Sequence, residues 1–237
     1  MVLVAFVLLT LFSQSALALT ITSGSNWGPY QTGGGGEFTL TPGDGLAWVL
    51  NNYDGKAKGF SNGTSSLTFQ TFCIEKNEGI SLNTTFNAVL SNAASYGGLG
   101  GATGTPPSDP LSKGTAWVYS QFASGILSGY SYTGSEAERE ISAAALQNTL
   151  WWLEDELTTT PLNSFTTAVL TQFGSSANAK LDNNGTYGVM ALNLTDSAGR
   201  HQDQLVATPE PAAALLLGLG FGFIGLIGAR RQVKVSI

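Results

Sequence analysis

The chain has 237 residues, a formal net charge of −6 and only 11% charged residues. Its length suits one domain plus processing segments, and its twelve Phe, seven Tyr and five Trp can fill a sizeable core, which excludes a disordered protein. A nucleic-acid-binding protein is excluded because a net negative charge repels phosphate.

The N-terminus predicts export. Residues 1–18 are apolar and end in Ala16-Leu17-Ala18, the A-x-A pattern that precedes signal-peptide cleavage. We therefore predict a secretory signal peptide over residues 1–18, although no Lys or Arg precedes the apolar run. A membrane-spanning helix is the alternative interpretation.

Residues 19–75 have a β pattern. Residues 37–41 alternate between apolar and polar, residues 46–50 form a short apolar run, and residues 67–75 are rich in β-branched and aromatic side chains. Each run predicts a strand. Residues 33–36 are four glycines, which we interpret as a flexible turn because no strand and helix flank them as in a phosphate-binding loop.

Helical signals dominate from residue 84 to residue 173. The apolar spacing predicts a short helix at 86–90, a loop at 97–110 and longer helices at 115–127, 136–157 and 161–173. For the last helix, Thr160 is the predicted N-cap, Pro161 the first position and Gly174 the end.

The helix that follows Ser135 has the clearest signals. Ser135 and Glu138 have capping-box spacing, and Leu146, Leu150, Leu153 and Leu157 recur every three or four residues as one buried stripe. Gln147 lies beside that stripe, one turn before Trp151 on the same edge. A surface amide at the margin of the core is one interpretation of Gln147.

Strand signals return at residues 187–194 and 204–206. Strands, then helices, then strands predict an α+β domain over residues 19–207, a β-sandwich or barrel with a helical block inserted on one side. Under that layout a strand residue such as Cys73 can meet Gln147 where the layers pack.

Cys73 is the only cysteine, so no intramolecular disulfide can form. It is either an inert buried side chain or a nucleophile. A Cys73 thiolate could attack the Gln147 carboxamide, expel ammonia and leave an internal thioester. That reaction requires a lowered thiol pKa or a nearby base, donors to the oxyanion and rigid placement of both side chains.

The sequence around both residues resembles the thioester domains of bacterial surface adhesins. Those domains carry a cysteine on an early strand, here Phe72-Cys73-Ile74-Glu75, and a Gln-x-x-aliphatic-Trp motif on a later helix, here Gln147 to Trp151. The resemblance covers roughly residues 67–195 and implies a Cys73–Gln147 thioester, which Trp151 would help to shield from water. Leu146 and Thr149 depart from the family, where Thr or Val and Ala are common.

Other candidate sites have weaker patterns. His201, the only histidine, could pair with Cys73, but it lies in a polar stretch, residues 197–204, that we interpret as a connector. Residues 182–185 resemble a fragment of a calcium loop, although a turn is the simpler interpretation. Residues 154–156 are all acidic and predict a solvated helix end. We predict no metal, no cofactor and no enzymatic activity.

The C-terminus predicts a membrane anchor. Residues 212–229 carry no charge, and Arg230 and Arg231 follow at once. An 18-residue helix spans about 27 Å, enough for a bilayer core. The arginines would remain cytoplasmic and place the preceding residues outside. A buried core helix is the alternative.

Pro209, Glu210 and Pro211 precede that helix. Pro-Glu-Pro, an apolar helix and a basic end resemble the PEP-CTERM sorting signal of exopolysaccharide-producing Gram-negative bacteria, here within residues 208–237. The resemblance implies recognition by an exosortase in the inner membrane, removal of the helix, and release or attachment at the outer surface.

The sequence therefore predicts an exported cell-surface or matrix protein whose thioester captures an amine on a partner molecule or in an exopolysaccharide matrix. The alternative is a non-covalent structural protein of the biofilm matrix, in which Cys73 is an inert core residue. No constellation typical of a secreted hydrolase is present.

Overall fold

The computed structural model describes residues 19–24, 35–58 and 67–209. The predicted signal peptide, Glu210, Pro211, the predicted helix at 212–229 and the two arginines after it lie outside the described residues. Within these three ranges, no helix is long and apolar enough to cross a membrane.

The described strands form two antiparallel sheets. The larger has six strands in the order β3-β2-β1-β4-β7-β8, and β5 pairs with β6 in a separate hairpin. The strands are β1 (Thr20–Ser23), β2 (Phe38–Pro42), β3 (Phe69–Thr71), β4 (Thr85–Ser91), β5 (Ala93–Ser95), β6 (Ser108–Pro110), β7 (Val189–Asp196) and β8 (Gly199–Ala207).

Four α-helices lie between β6 and β7 in the chain. They are α1 (Lys113–Ala123), α2 (Glu136–Leu153), α3 (Ser164–Phe173) and α4 (Ser176–Ala179). The mixture of helices and antiparallel sheet confirms the α+β class. The barrel alternative is wrong, because the described strands form a six-stranded sheet and a separate hairpin and close no barrel; the sandwich stays a prediction.

The two ends of the large sheet nevertheless meet at the segment that follows β3. Ile74 N–H donates to the Asp203 carbonyl at 3.1 Å, and Leu205 N–H donates to the Phe72 carbonyl at 3.1 Å. Cys73 lies between these two bonds, opposite Gln204 of β8. Backbone pairing on both sides therefore fixes the position of Cys73.

Helix α1 packs against β7 and β8. The buried Tyr119 hydroxyl lies 3.1 Å from the carbonyl oxygens of both Gln70 and Leu205, and the Phe122 ring meets the Phe72 ring edge to face with centroids 5.0 Å apart. The hydrophobic core thus reaches the residue immediately before Cys73.

Two predicted elements have the wrong type. Residues 46–50 belong to a 3₁₀ helix, Asp44–Asn52, in which Leu46 and Val49 are buried and Trp48 is exposed. Burial every third residue is the 3₁₀ period, not the period of a strand. Residues 86–90 lie in β4, where Phe86 and Ala88 are buried and alternate with exposed neighbours.

Two further expectations need correction. Residues 199–204 of the predicted connector at 197–204 belong to β8, because the backbone there pairs with β7. The last long helix begins after Asn163, not after Thr160, since the Asn163 side chain accepts from the N–H groups of Phe165 and Thr166.

Other helix signals are confirmed. The capping box of Ser135 and Glu138 begins α2, and α3 ends at Gly174 with φ 75°. The helix predicted at 115–127 exists as α1 but ends at Ala123.

Candidate functional site

The structure brings Cys73 and Gln147 into direct contact. The Gln147 Nε2 donates to the Cys73 carbonyl at 2.9 Å, and the Cys73 N–H donates to Gln147 Oε1 at 3.0 Å. Both residues are only 1% exposed, so Gln147 is not a surface amide. Its side chain pairs with the Cys73 backbone as a neighbouring strand would.

A second backbone amide points at the same oxygen. Gly36 N–H donates to Gln147 Oε1 at 3.2 Å, so the oxygen accepts from two N–H groups. Gly35 and Gly36 have φ of 122° and 128°, values that L side chains rarely adopt. This part of the predicted flexible turn is instead a packed wall of the site.

Gly35 leaves no room for a side chain. A Cβ there would lie 2.6 Å from Gln147 Cγ and 2.6 Å from Trp151 Cη2. Trp151 is 6% exposed, and its Nε1 finds no hydrogen-bond partner among the described residues. Gly35 therefore packs closely against both Gln147 and Trp151.

The Cys73 thiol faces a different side chain. Its S–H donates to Gln202 Oε1 at 2.9 Å, and Gln202 Nε2 donates to the Glu75 carbonyl at 2.6 Å. Burial raises the pKa of the Cys73 thiol well above its usual range. A lowered thiol pKa was one of the conditions under which Cys73 could attack Gln147, and the structure does not provide it. The thiol is protonated at neutral pH.

His201 is not the base for this thiol. Its Nε2 lies 2.9 Å from Asp196 Oδ1, and its ring packs against Phe86 with centroids 4.7 Å apart. The Cys73 thiol is bound to Gln202 instead. The Cys73–His201 pair weighed from sequence does not form.

Two buried acids, Glu75 and Asp203, lie beside the thiol and were not predicted from the sequence. Asp203 N–H donates to Glu75 Oε2 at 2.9 Å, and Ser95 N–H donates to Asp203 Oδ2 at 2.6 Å. Burial and the neighbouring Asp203 raise the pKa of Glu75 to about 9, and burial raises the pKa of Asp203 to about 6. The sequence signal for this pair was Glu75, an acidic residue two positions after Cys73 at the end of a run that predicts a strand.

The acidic run at the end of α2 is not a solvated face. Glu154 and Glu156 are 5% and 4% exposed. Glu156 accepts from the N–H groups of Lys76 at 2.6 Å and Gly100 at 2.7 Å, and Glu154 accepts from Ser112 N–H at 3.1 Å. Glu156 thus ties the end of the Gln147 helix to the segment just after Cys73. Only Asp155 projects to solvent.

Residues 182–185 form a turn in which Asn183 Oδ1 accepts from Gly185 N–H at 3.0 Å. Across the part of the chain that the structure describes, no cluster of three or more His, Cys, Asp or Glu could hold a metal.

Comparison with known proteins identifies no relative: no family model, curated protein or solved structure matches this chain. The function must therefore be argued from the site itself.

The contact of Gly35 with Gln147 leads to a first prediction. Gly35→Ala should disrupt the Gln147 contact as well as strain the backbone, whereas Gly199→Ala adds a Cβ at φ 128° with nothing within 4 Å. We expect the control to lose about 1–3 kcal/mol of unfolding free energy and Gly35→Ala to lose about 1–3 kcal/mol more from overpacking. Urea denaturation of both variants measures the difference; equal losses would contradict the packing shown here.

The buried acid pair leads to a second prediction. A raised pKa means that folded Glu75 keeps its proton between its ordinary value of 4.5 and about 9, whereas the unfolded chain releases it. The free energy of unfolding should therefore fall with rising pH across that window, by up to about 1.4 kcal/mol per pH unit. Glu75→Gln should flatten this slope.

Urea denaturation from about pH 5 to about pH 8.5 tests this. Glu138→Gln is the matched control, because hydrogen bonds from Ser135 lower the pKa of that exposed carboxyl and it titrates below the window. A Glu75→Gln slope equal to that of the unmodified protein would refute the assignment.

Proposed function

We propose that this protein is exported to the cell surface or extracellular matrix, forms an internal thioester between Cys73 and Gln147, and uses it to bind an amine-bearing partner covalently. The observation that carries the proposal is the pairing of the Gln147 carboxamide with the Cys73 backbone at 2.9 Å and 3.0 Å in a buried site. This pairing holds the Gln147 carboxamide against the residue that carries the thiol, and covalent chemistry requires rigid proximity of the reacting groups.

Thioester formation needs no other reactant. The Cys73 sulfur adds to Gln147 Cδ, the Cδ–Nε2 bond breaks, and the thiol proton leaves with the nitrogen as ammonia. In the capture step, a partner amine adds to Cδ, the C–S bond breaks, and a proton from the amine returns to the sulfur. Each molecule reacts once, so this is bond formation and not enzymatic turnover.

The burial of the site suits a stored acyl group. Trp151 and Gly35 exclude water from Gln147. The raised pKa of the Cys73 thiol also makes it a poor leaving group, because thiols of lower pKa leave faster. Both effects slow hydrolysis before a partner amine arrives.

The same thiol environment also favours a second candidate function. A protonated, buried Cys73 whose S–H is bound to Gln202 describes an inert core residue equally well. In that case the protein is a non-covalent structural component of the biofilm matrix.

The sorting proposal rests on the residues that follow the sheet. Strand β8 ends at Ala207, and Pro209, the last described residue, is exposed. Pro209 is the first residue of the Pro209–Glu210–Pro211 motif, which an exosortase at the inner membrane of a Gram-negative cell would recognise, with Arg230 and Arg231 on the cytoplasmic side.

Intact mass tests the thioester. The protein, expressed from the full-length chain and purified in its processed form, should be one ammonia lighter than expected when compared with Cys73→Ala and Gln147→Glu proteins processed identically. Methylamine should add to it and free one thiol, whereas neither variant should react. Free thiol must be measured too, since a Gln147–lysine crosslink would also lose ammonia.

Asn148→Ala is the matched control, because Asn148 is the exposed neighbour of Gln147 on α2; it should behave like the unmodified protein. An unmodified protein of full mass that is inert to methylamine would leave only the structural matrix function.

Replacement of the sorting glutamate tests the export route. Glu210→Ala should leave the precursor in the inner membrane, because the motif would lose the acidic residue on which the resemblance rests. Immunoblots of inner-membrane, outer-membrane and medium fractions measure this. Unchanged processing and release of the variant would remove the exosortase assignment.

A further inference from the structure

The oxygen of Gln147 lies in an unusual environment for a glutamine side chain. It accepts from two backbone N–H groups that are 37 residues apart, Gly36 at 3.2 Å and Cys73 at 3.0 Å. When sulfur adds to Cδ, or when an amine adds to the thioester, negative charge develops on this oxygen. Two fixed N–H donors aimed at such an oxygen form an oxyanion hole.

Both donors are held by structure outside the site. The sheet fixes Cys73, since Phe72 and Ile74 on either side of it are hydrogen-bonded to β8. Gly36 has no side chain of its own; its backbone takes part in a β-bridge, and the next residue, Glu37, is anchored through its side chain.

Glu37 is completely buried and forms a two-pronged ion pair with Arg139 of α2. Arg139 Nε lies 2.8 Å from Glu37 Oε1, and a terminal nitrogen of the same guanidinium donates to Glu37 Oε2 at 2.9 Å. The Tyr130 hydroxyl donates to Glu37 Oε1 as well. The guanidinium also donates to the Tyr132 and Lys56 carbonyls at 2.7 Å and 3.0 Å.

The ion pair joins the two segments that must stay aligned. Arg139 lies eight residues before Gln147, about two turns along the same helix, and Glu37 directly follows Gly36. A buried ion pair adds little net stability, because desolvation of the charges offsets their attraction. Its planar, two-pronged geometry does fix the position of one segment relative to the other.

We propose that the Gly36 and Cys73 N–H groups stabilise the oxyanion on Gln147 Oε1, and that Glu37 and Arg139 are positioning residues that hold Gly36 in this role. The proposal rests on the thioester function above. It assigns the electrostatic stabilisation in both thioester formation and amine capture to backbone amides, and it gives the buried ion pair a function.

The test replaces the ion pair without leaving a buried charge. The triple variant Glu37→Leu, Arg139→Met and Tyr130→Phe removes all three polar partners, and such apolar replacements are often neutral for stability. We expect a thermal unfolding midpoint only slightly below that of the unmodified protein, because the Tyr132 and Lys56 carbonyls lose their guanidinium donor. We also expect either no thioester or a methylamine reaction about 10- to 100-fold slower than in the unmodified protein, because one oxyanion donor is misaligned.

The direction of the rate change separates positioning from a structural role. A merely loosened site would admit methylamine more readily and react faster, whereas a lost oxyanion donor slows the reaction. If the triple variant does not fold, Arg139→Lys keeps the charge but lacks the planar fork, and it should slow the reaction in the same direction. The matched control is the double variant Arg200→Met, Glu78→Leu. It removes a surface ion pair in which a guanidinium nitrogen of Arg200 lies 2.9 Å from Glu78 Oε1.

A folded variant that forms the thioester and reacts at the unmodified rate or faster would overturn the proposal, as would an equal slowing in the control. Absence of a thioester in the unmodified protein would instead overturn the proposed function, so the two failures are distinguishable.

Discussion

The pairing of the Gln147 carboxamide with the Cys73 backbone is the interaction on which the candidate site depends. It joins a helix to the place where the two ends of the six-stranded sheet meet. Because an unpaired amide in that dry position would cost about 1–3 kcal/mol, the surrounding chain must keep donors and acceptors in register. The close contact of Gly35 with Gln147 and the Glu156 bonds to Lys76 and Gly100 both serve that requirement.

Several of the few charged residues are buried inside the fold. Only 11% of its residues are charged, yet Glu37, Glu75, Glu154, Glu156 and Asp203 are all buried. Each accepts hydrogen bonds, and four of the five accept at least one from a backbone N–H. These acids connect segments distant in sequence. Burial raises the pKa of Glu75, Glu154 and Asp203, the direction expected in a medium of low polarity.

Under the proposed function, the site would hold a protected acyl group. The Cys73 thiol has a raised pKa and a neutral hydrogen-bond partner, Gln202, instead of the base and low pKa of a catalytic cysteine. Reactivity must then come from rigid alignment and from stabilisation of charge on Gln147 Oε1. Under the proposed function, such a site would close slowly and store the acyl group until a single capture event.

Local sequence patterns were sufficient to predict the α+β class, the capping box of α2, the burial of Leu146, Leu150 and Leu153 on that helix, and the presence of Cys73 next to a strand. They did not determine the 3₁₀ helix at Asp44–Asn52 or the length of β8, because short apolar runs satisfy several periods and backbone pairing decides between them. The contact between Cys73 and Gln147 was only a hypothesis from a family resemblance. Tertiary structure alone decided which groups surround it, because Gly36, Gln202 and Arg139 reach the site through packing between segments far apart in the chain, and no local pattern encodes such contacts.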